Sequence, residues 1–151
     1  MKKRRTNIMK NNKGFSLVEL IVVVAIMAVL IGILAPAYLG YVEKTRKGTD
    51  ENTAEEIRGA VEKALAGDLE VYDEVAGAAG SVTLTWTDGD AIANFTSTYP
   101  KLTAALTDTF GSKDFEMKSK AYAGKTLTIT ITAAGGSAFE VTAVLDTKTI
   151  K

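Results

Sequence analysis

Gly14-Phe15-Ser16-Leu17-Val18-Glu19-Leu20 opens a run that continues without interruption to Ala35-Pro36. Leu20 to Ala35 is sixteen residues with no charged or strongly polar side chain, and from Phe15 to Ala35 only Ser16 and Glu19 break the apolar pattern. As a helix rising about 1.5 Å per residue, Phe15–Ala35 would cover roughly 31 Å, which matches a hydrocarbon core of about 30 Å. The stretch predicts a membrane-spanning helix, and every other segment has to be arranged around it.

Upstream, residues 1–14 carry six basic side chains (Lys2, Lys3, Arg4, Arg5, Lys10 and Lys13) and no acid. Basic residues flanking a span stay on the cytoplasmic side, so a cytoplasmic N-terminus and an outward-facing C-terminal body are predicted. The chain as a whole has 18 basic and 18 acidic residues. Beyond the leader the balance is therefore twelve against eighteen, an acidic body with no basic stripe. Such a surface does not release counterions from a phosphate backbone, so no nucleic acid is predicted as a primary partner. The chain has neither Cys nor His. Thiol nucleophiles, imidazole bases, disulfides and the usual zinc ligands are thereby excluded. No catalytic residue, no cofactor and no metal site is predicted. Asp88-Gly89-Asp90 reads as a turn, because two carboxylates fall short of the six to eight oxygens that calcium takes. Asn94-Phe95-Thr96 fits the N-glycosylation pattern and is read as chance.

Downstream of Pro36 a helical period persists while polarity rises. Tyr38, Tyr41, Val42 and Thr45 lead to Ile57, Ala60, Val61, Ala64 and Leu65 on one face, with Glu55, Glu56, Arg58, Glu62 and Lys63 off it. Gly67-Asp68 is the predicted stop, so a helix from Phe15 to about Ala66 would measure on the order of 78 Å. Gly48 to Thr53 reads as its weak point, with Thr53 and Glu56 positioned to begin a new helix. After residue 80 the period becomes two, at Val82/Leu84/Trp86, Leu127/Ile129/Ile131 and Phe139/Val141/Ala143/Leu145. Strands over 126–133 and 138–146 are predicted to form an antiparallel hairpin around Gly135-Gly136. Trp86 and Phe139 are read as core. Pro100 to Gly111 reads as a short helix. One apolar sheet face needs a cover, and the Ile57–Leu65 stripe is the long one available. The fold class is α+β: a long N-terminal helix, half membrane-spanning and half amphipathic, packed on a small antiparallel sheet. The organisation is a leader over 1–14, an anchor over 15–36, an amphipathic half over 37–67 and a β-rich head over 68–151.

The basic leader, Gly14-Phe15, an acid four residues later at Glu19, and a continuous apolar helix containing Pro36 together resemble the processing region of type IV prepilins and pseudopilins. The likeness is close over residues 10–43; beyond them only the architecture agrees. It implies that a prepilin peptidase cuts after Gly14 and methylates the new N-terminus at Phe15. It further implies that Glu19 pairs with the N-terminal amine of a neighbouring identical subunit during assembly, and that the Gly32–Pro36 segment loosens in the filament. The implied function is a structural subunit of a type IV pilus, handled by the pilus assembly machinery, held in the cytoplasmic membrane first and exposed in an extracellular filament afterwards. A pseudopilin of a type II secretion or competence system is the alternative. Two features depart from the family pattern. The leader is long, and Met9 would give the more usual six-residue form; the C-terminal disulfide loop common in Gram-negative pilins cannot form here.

Three competing readings are open on the residues themselves. Ser16 and Glu19 fit an S-x-x-E capping box, which would give Glu19 a purely structural role. Ala35-Pro36-Ala37 resembles an ordinary signal-peptidase site, which would release a head beginning at Tyr38. An uncleaved single-pass protein whose head binds a ligand is the third, against which Gly14-Phe15 at the membrane boundary argues.

Overall fold

A computed structural model describes residues 14–78, 80–93, 98–134 and 138–150. Among them are three helices, α1 (Leu17–Gly67), α2 (Leu69–Ala76) and α3 (Pro100–Phe110), and four strands, β1 (Val82–Thr87), β2 (Thr126–Ala133), β3 (Phe139–Leu145) and β4 (Lys148–Ile150). The chain forms two compact units, Met1–Gly40 and Tyr41–Lys151.

In the first unit α1 begins at Leu17 and runs through Pro36 as unbroken helix. Its apolar side chains are exposed all round: Leu17 by 73%, Ile21 by 59%, Leu30 by 52% and Ile33 by 69%. A helix that is apolar on every side needs lipid or other protein around it. This one is long and apolar enough to cross a membrane.

The second unit is the α+β head. Its sheet is antiparallel in the order β1-β2-β3-β4. The register sets Leu84 opposite Ile129 and Ile129 opposite Ala143, so the inward residues of three strands form continuous rows. Thr83, Thr85 and Thr87 alternate outward. Ala54, Ile57, Val61 and Leu65 of α1 are buried in one cluster with Leu84, Trp86, Leu127, Ile129 and Leu145. The amphipathic stripe thus covers the sheet as its spacing predicts. Trp86 is fully buried and its indole N–H donates to the Ile92 carbonyl at 2.8 Å. Phe139, expected in the core, is only half-buried. It stands at the end of β3, with its ring centroid 5.0 Å from that of Tyr72. The Gly135-Gly136 turn and the Asn94-Phe95-Thr96 triplet lie outside the described residues.

The expected weak point at 48–53 is corrected, because α1 is continuous there. The Thr49 and Thr53 hydroxyls donate back to the carbonyls of Thr45 and Thr49, at 3.1 and 3.0 Å, so Thr53 continues the helix and caps nothing. Asp50 is 1% exposed and accepts the backbone N–H groups of Lys118 and Ser119 at 2.8 and 2.9 Å. Two neighbours fasten the same loop. Glu43 accepts the N–H groups of Lys120 and Ala121, and Glu51 accepts the Tyr122 hydroxyl at 2.8 Å. Lys148 of β4 also pairs with Glu51 at 2.6 Å. The Lys148 bond first, then that from Tyr122, holds the Glu51 carboxyl below its ordinary range. This stretch of poor helix formers is bonded to residues 68 to 78 positions away in sequence.

Two elements carry no clear sequence pattern. In α2, Asp68 caps the N-terminus by accepting the Glu70 N–H, and Val71 and Val75 bury. Its Glu74 accepts the N–H groups of Lys101 and Leu102, both at 2.9 Å. Those are orphan donors of α3, whose own N-cap residue Tyr99 makes no side-chain cap bond. In β4, three residues pair with the end of β3 after a tight turn in which Asp146 takes a φ of 58°. Asp tolerates that region better than most residues. The Asp88-Gly89-Asp90 turn is likewise closed internally. Gly89 takes a φ of 91°, Asp90 accepts from the Thr87 N–H at 2.6 Å and Asp88 from the Met117 N–H at 2.7 Å.

Candidate functional site

The residues singled out in the sequence fall at two places along the first unit. Gly14, Phe15 and Glu19 are gathered at the start of α1; Gly32 and Pro36 lie one turn apart farther along it. No contact joins the two groups in a single helix, so they are separate features.

At the start of α1, Ser16 is the N-cap. Its hydroxyl accepts the Val18 N–H at 3.3 Å and its carbonyl accepts the Leu20 N–H at 3.2 Å. The Glu19 carboxylate reaches back to accept the Ser16 N–H at 2.8 Å. This is a capping box in which the Glu19 half is formed and the Ser16 hydroxyl takes the second helical N–H in place of the third. It answers part of the problem that Glu19 poses. An ionised carboxylate deep in an apolar helix costs at least about 2.5–3.5 kcal/mol on insertion scales, and a position in the first turn, hydrogen-bonded and near the positive end of the helix dipole, lowers that cost.

The same geometry provides a partner for the terminus that a cut after Gly14 would create. The new α-amino nitrogen of Phe15 would stand one residue before the Ser16 N–H that Glu19 already holds. A carboxylate would thus stand near the positive charge that such a cut creates, and Phe15 is 90% exposed. Gly14 is instructive in another way. A Cβ built on it meets nothing within 4 Å, and its φ lies outside the left-handed region. Nothing among the described residues requires glycine there.

Gly32 shows the same openness, with nothing within 4 Å of an added Cβ. Pro36 lacks an amide hydrogen, so the Gly32 carbonyl four residues earlier has no helical donor. The helix absorbs this defect and stays continuous.

In the head, the sequence reading missed Glu43, Asp50, Glu51 and Glu74, whose carboxylates each hold a distant segment. The available signal was weak: acids on a helix at positions 43, 50 and 51 read as solvated surface until the loop they bind is known. Among the described residues no group of three or more acidic side chains converges as a metal site.

Comparison with known proteins agrees with the geometry at the N-terminus. Residues 9–35 match the family model described as the prokaryotic N-terminal methylation motif. This is the class III signal peptide of type IV pilins and pseudopilins. No solved structure matches the chain.

Proposed function

We propose that this chain, carrying the prepilin-type methylation motif at residues 9–35, is a structural subunit of a type IV pilus: a precursor anchored by α1, cut after Gly14, methylated at Phe15 and polymerised. The observation that carries the reading is the motif match, set at the head of an apolar helix exposed on every side. Lipid satisfies that surface in the precursor, and the helices of identical subunits satisfy it in a filament. On this reading residues 1–14 are the leader, 15–36 the assembly helix, 37–67 the amphipathic half and 68–151 the head. The prepilin peptidase and the pilus assembly machinery are its partners. The precursor's N-terminus faces the cytoplasm, and the product is extracellular.

Glu19 has two successive tasks in this scheme. In the precursor it closes the capping box. After the cut its charge neutralises the terminal amine of a neighbouring subunit as the helix leaves lipid. The two tasks separate experimentally, because glutamine serves at the third helical position of a capping box but carries no charge. Glu19→Gln should insert and be processed normally yet yield few filaments, as Glu19→Ala should. Normal filament yield from Glu19→Gln would reduce the residue to a cap.

Processing is tested by mass spectrometry of the mature chain, which should begin at an N-methylated Phe15. A terminus at Tyr38 would establish the ordinary secretory signal, and an intact N-terminus in the filament would overturn the assignment. A pseudopilin shares all of this chemistry. Long fibres sheared from cells and containing this chain support the pilus, whereas a short fibre confined to the envelope supports the secretion or competence machine.

A further inference from the structure

The head is acidic overall, yet the part of it that follows the anchor in sequence is not. From Leu20 to Val42 no side chain is charged; then come Glu43, Lys44, Arg46 and Lys47, the three cations all exposed. The loop fastened to this part of α1 adds Lys118 and Lys120, also exposed. Their own backbone N–H groups are held by Asp50 and Glu43, which fixes the two lysines beside residues 43–50.

What makes the five cations a surface is the fate of the acids among them. Glu43 is turned onto the N–H groups of Lys120 and Ala121. Asp50 is buried on those of Lys118 and Ser119. Glu51 is taken up by Lys148 and Tyr122. Glu116 remains exposed nearby. None of the five cations forms a salt bridge among the described residues, although the Lys47 ammonium lies 5.3 Å from the centre of the Tyr122 ring. These acids keep their charge, and Lys47 acts on Glu51 at longer range. Their oxygens, however, are directed at backbone donors, Tyr122 and Lys148, while the five exposed cations make no direct ion pair among the described residues.

We propose that Lys44, Arg46, Lys47, Lys118 and Lys120 rest on the anionic phospholipid headgroups of the bilayer that holds the anchor. The proposal builds on the reading of α1 as a membrane helix. The uncharged run from Leu20 to Val42 would rise roughly 35 Å as helix, which accounts for the hydrocarbon core and part of the headgroup layer. Lys44 follows two residues later, and Tyr41, 76% exposed, stands where interfacial aromatic residues collect. Long basic side chains reach headgroup phosphates from such positions, each raising association with an anionic surface about fivefold. The contact would hold the head against the membrane until assembly draws the subunit out.

The full chain is reconstituted into vesicles of phosphatidylcholine alone, or of phosphatidylcholine with one third phosphatidylglycerol. Alkaline extraction first establishes insertion in both. Amine labelling with an impermeant reagent is then read residue by residue by mass spectrometry, with the exposed Lys63 as internal standard. Labelling of Lys44, Lys47, Lys118 and Lys120 should fall about threefold or more in the anionic vesicles and recover in high salt, while Lys63 is unchanged. Lys118→Gln with Lys120→Gln should weaken the protection of Lys44 and Lys47 at unaltered helix content. Equal labelling in the two lipids overturns the proposal. Protection that follows protein density at constant lipid composition assigns the surface to a second copy of the chain and also overturns it. Failure to insert would remove the membrane reading itself, and with it this contact.

Discussion

Replacing Asp50 by alanine removes the one side chain that ties the middle of α1 to the 118–119 loop through two backbone donors. Its carboxylate is 1% exposed and accepts N–H groups from Lys118 and Ser119 at 2.8 and 2.9 Å. Hydrogen bonds to a charged group contribute about 1.5–3 kcal/mol each, so the pair amounts to roughly 3–6 kcal/mol. Two terms offset part of this. Alanine is a better helix former than aspartate by about 0.6 kcal/mol, and the desolvation cost of a buried charge disappears. The Ser119 N–H is buried and would be left unpaired, whereas that of Lys118 is nearer to solvent. A net destabilisation of about 3 kcal/mol results, a large share of the 5–15 kcal/mol typical of a domain. In urea, with a slope near 2 kcal/mol per molar, the unfolding midpoint of the Tyr41–Lys151 fragment should fall by about 1.5 M. Amide exchange at Lys118 and Ser119 should accelerate before global unfolding. Asp50→Asn should be nearly as damaging, since its amide group faces a donor with another donor. A midpoint shift below about 0.3 M for Asp50→Ala would refute the clamp and return the helicity of residues 48–53 to local preference.

Ile57→Ala removes a fully buried side chain between α1 and the sheet and should cost about 2–5 kcal/mol in the same denaturation assay. A cost below about 1 kcal/mol would show that the stripe is not core. Burial first, and the bond to Glu51 second, pushes the Tyr122 hydroxyl up to about 12. The folded value therefore exceeds the ordinary one near 10: the stabilisation is complete below pH 10 and is lost, by roughly 2–3 kcal/mol, as pH rises to 12. Tyr122→Phe should flatten that alkaline limb, and an unchanged limb measured by thermal melts would contradict the assignment. In the filament, the backbone around Gly32–Pro36 should be non-helical while the isolated subunit keeps it helical, as packed neighbours compensate for unwinding. A filament map with unbroken helix from Phe15 through Tyr41 would exclude it.

The sequence by itself determined whatever rests on neighbouring residues and simple periods. The run from Phe15 to Ala35 specifies a membrane-length helix, Ser16 and Glu19 specify its cap, and Ile57 to Leu65 specify the face that meets a sheet. The alternation at 82–87, 126–133 and 139–145 specifies three of the strands, because inward and outward positions differ sharply in burial. The rest was decided by contacts between segments far apart in the chain. Residues 48–53 have poor helix propensity, yet their helix is continuous and its Asp50 is bonded to the loop that the folded head delivers. The start of α3 is capped from α2 by Glu74, across 27 and 28 residues, where no local pattern can show it. Strand β4 is too short to display a period, and exists because β3 offers it an edge after the Asp146 turn. Local preference is worth a few tenths to one kcal/mol per residue, and a buried carboxylate filled by two backbone donors outweighs it. Such a bond is visible only once both of its ends are placed in space.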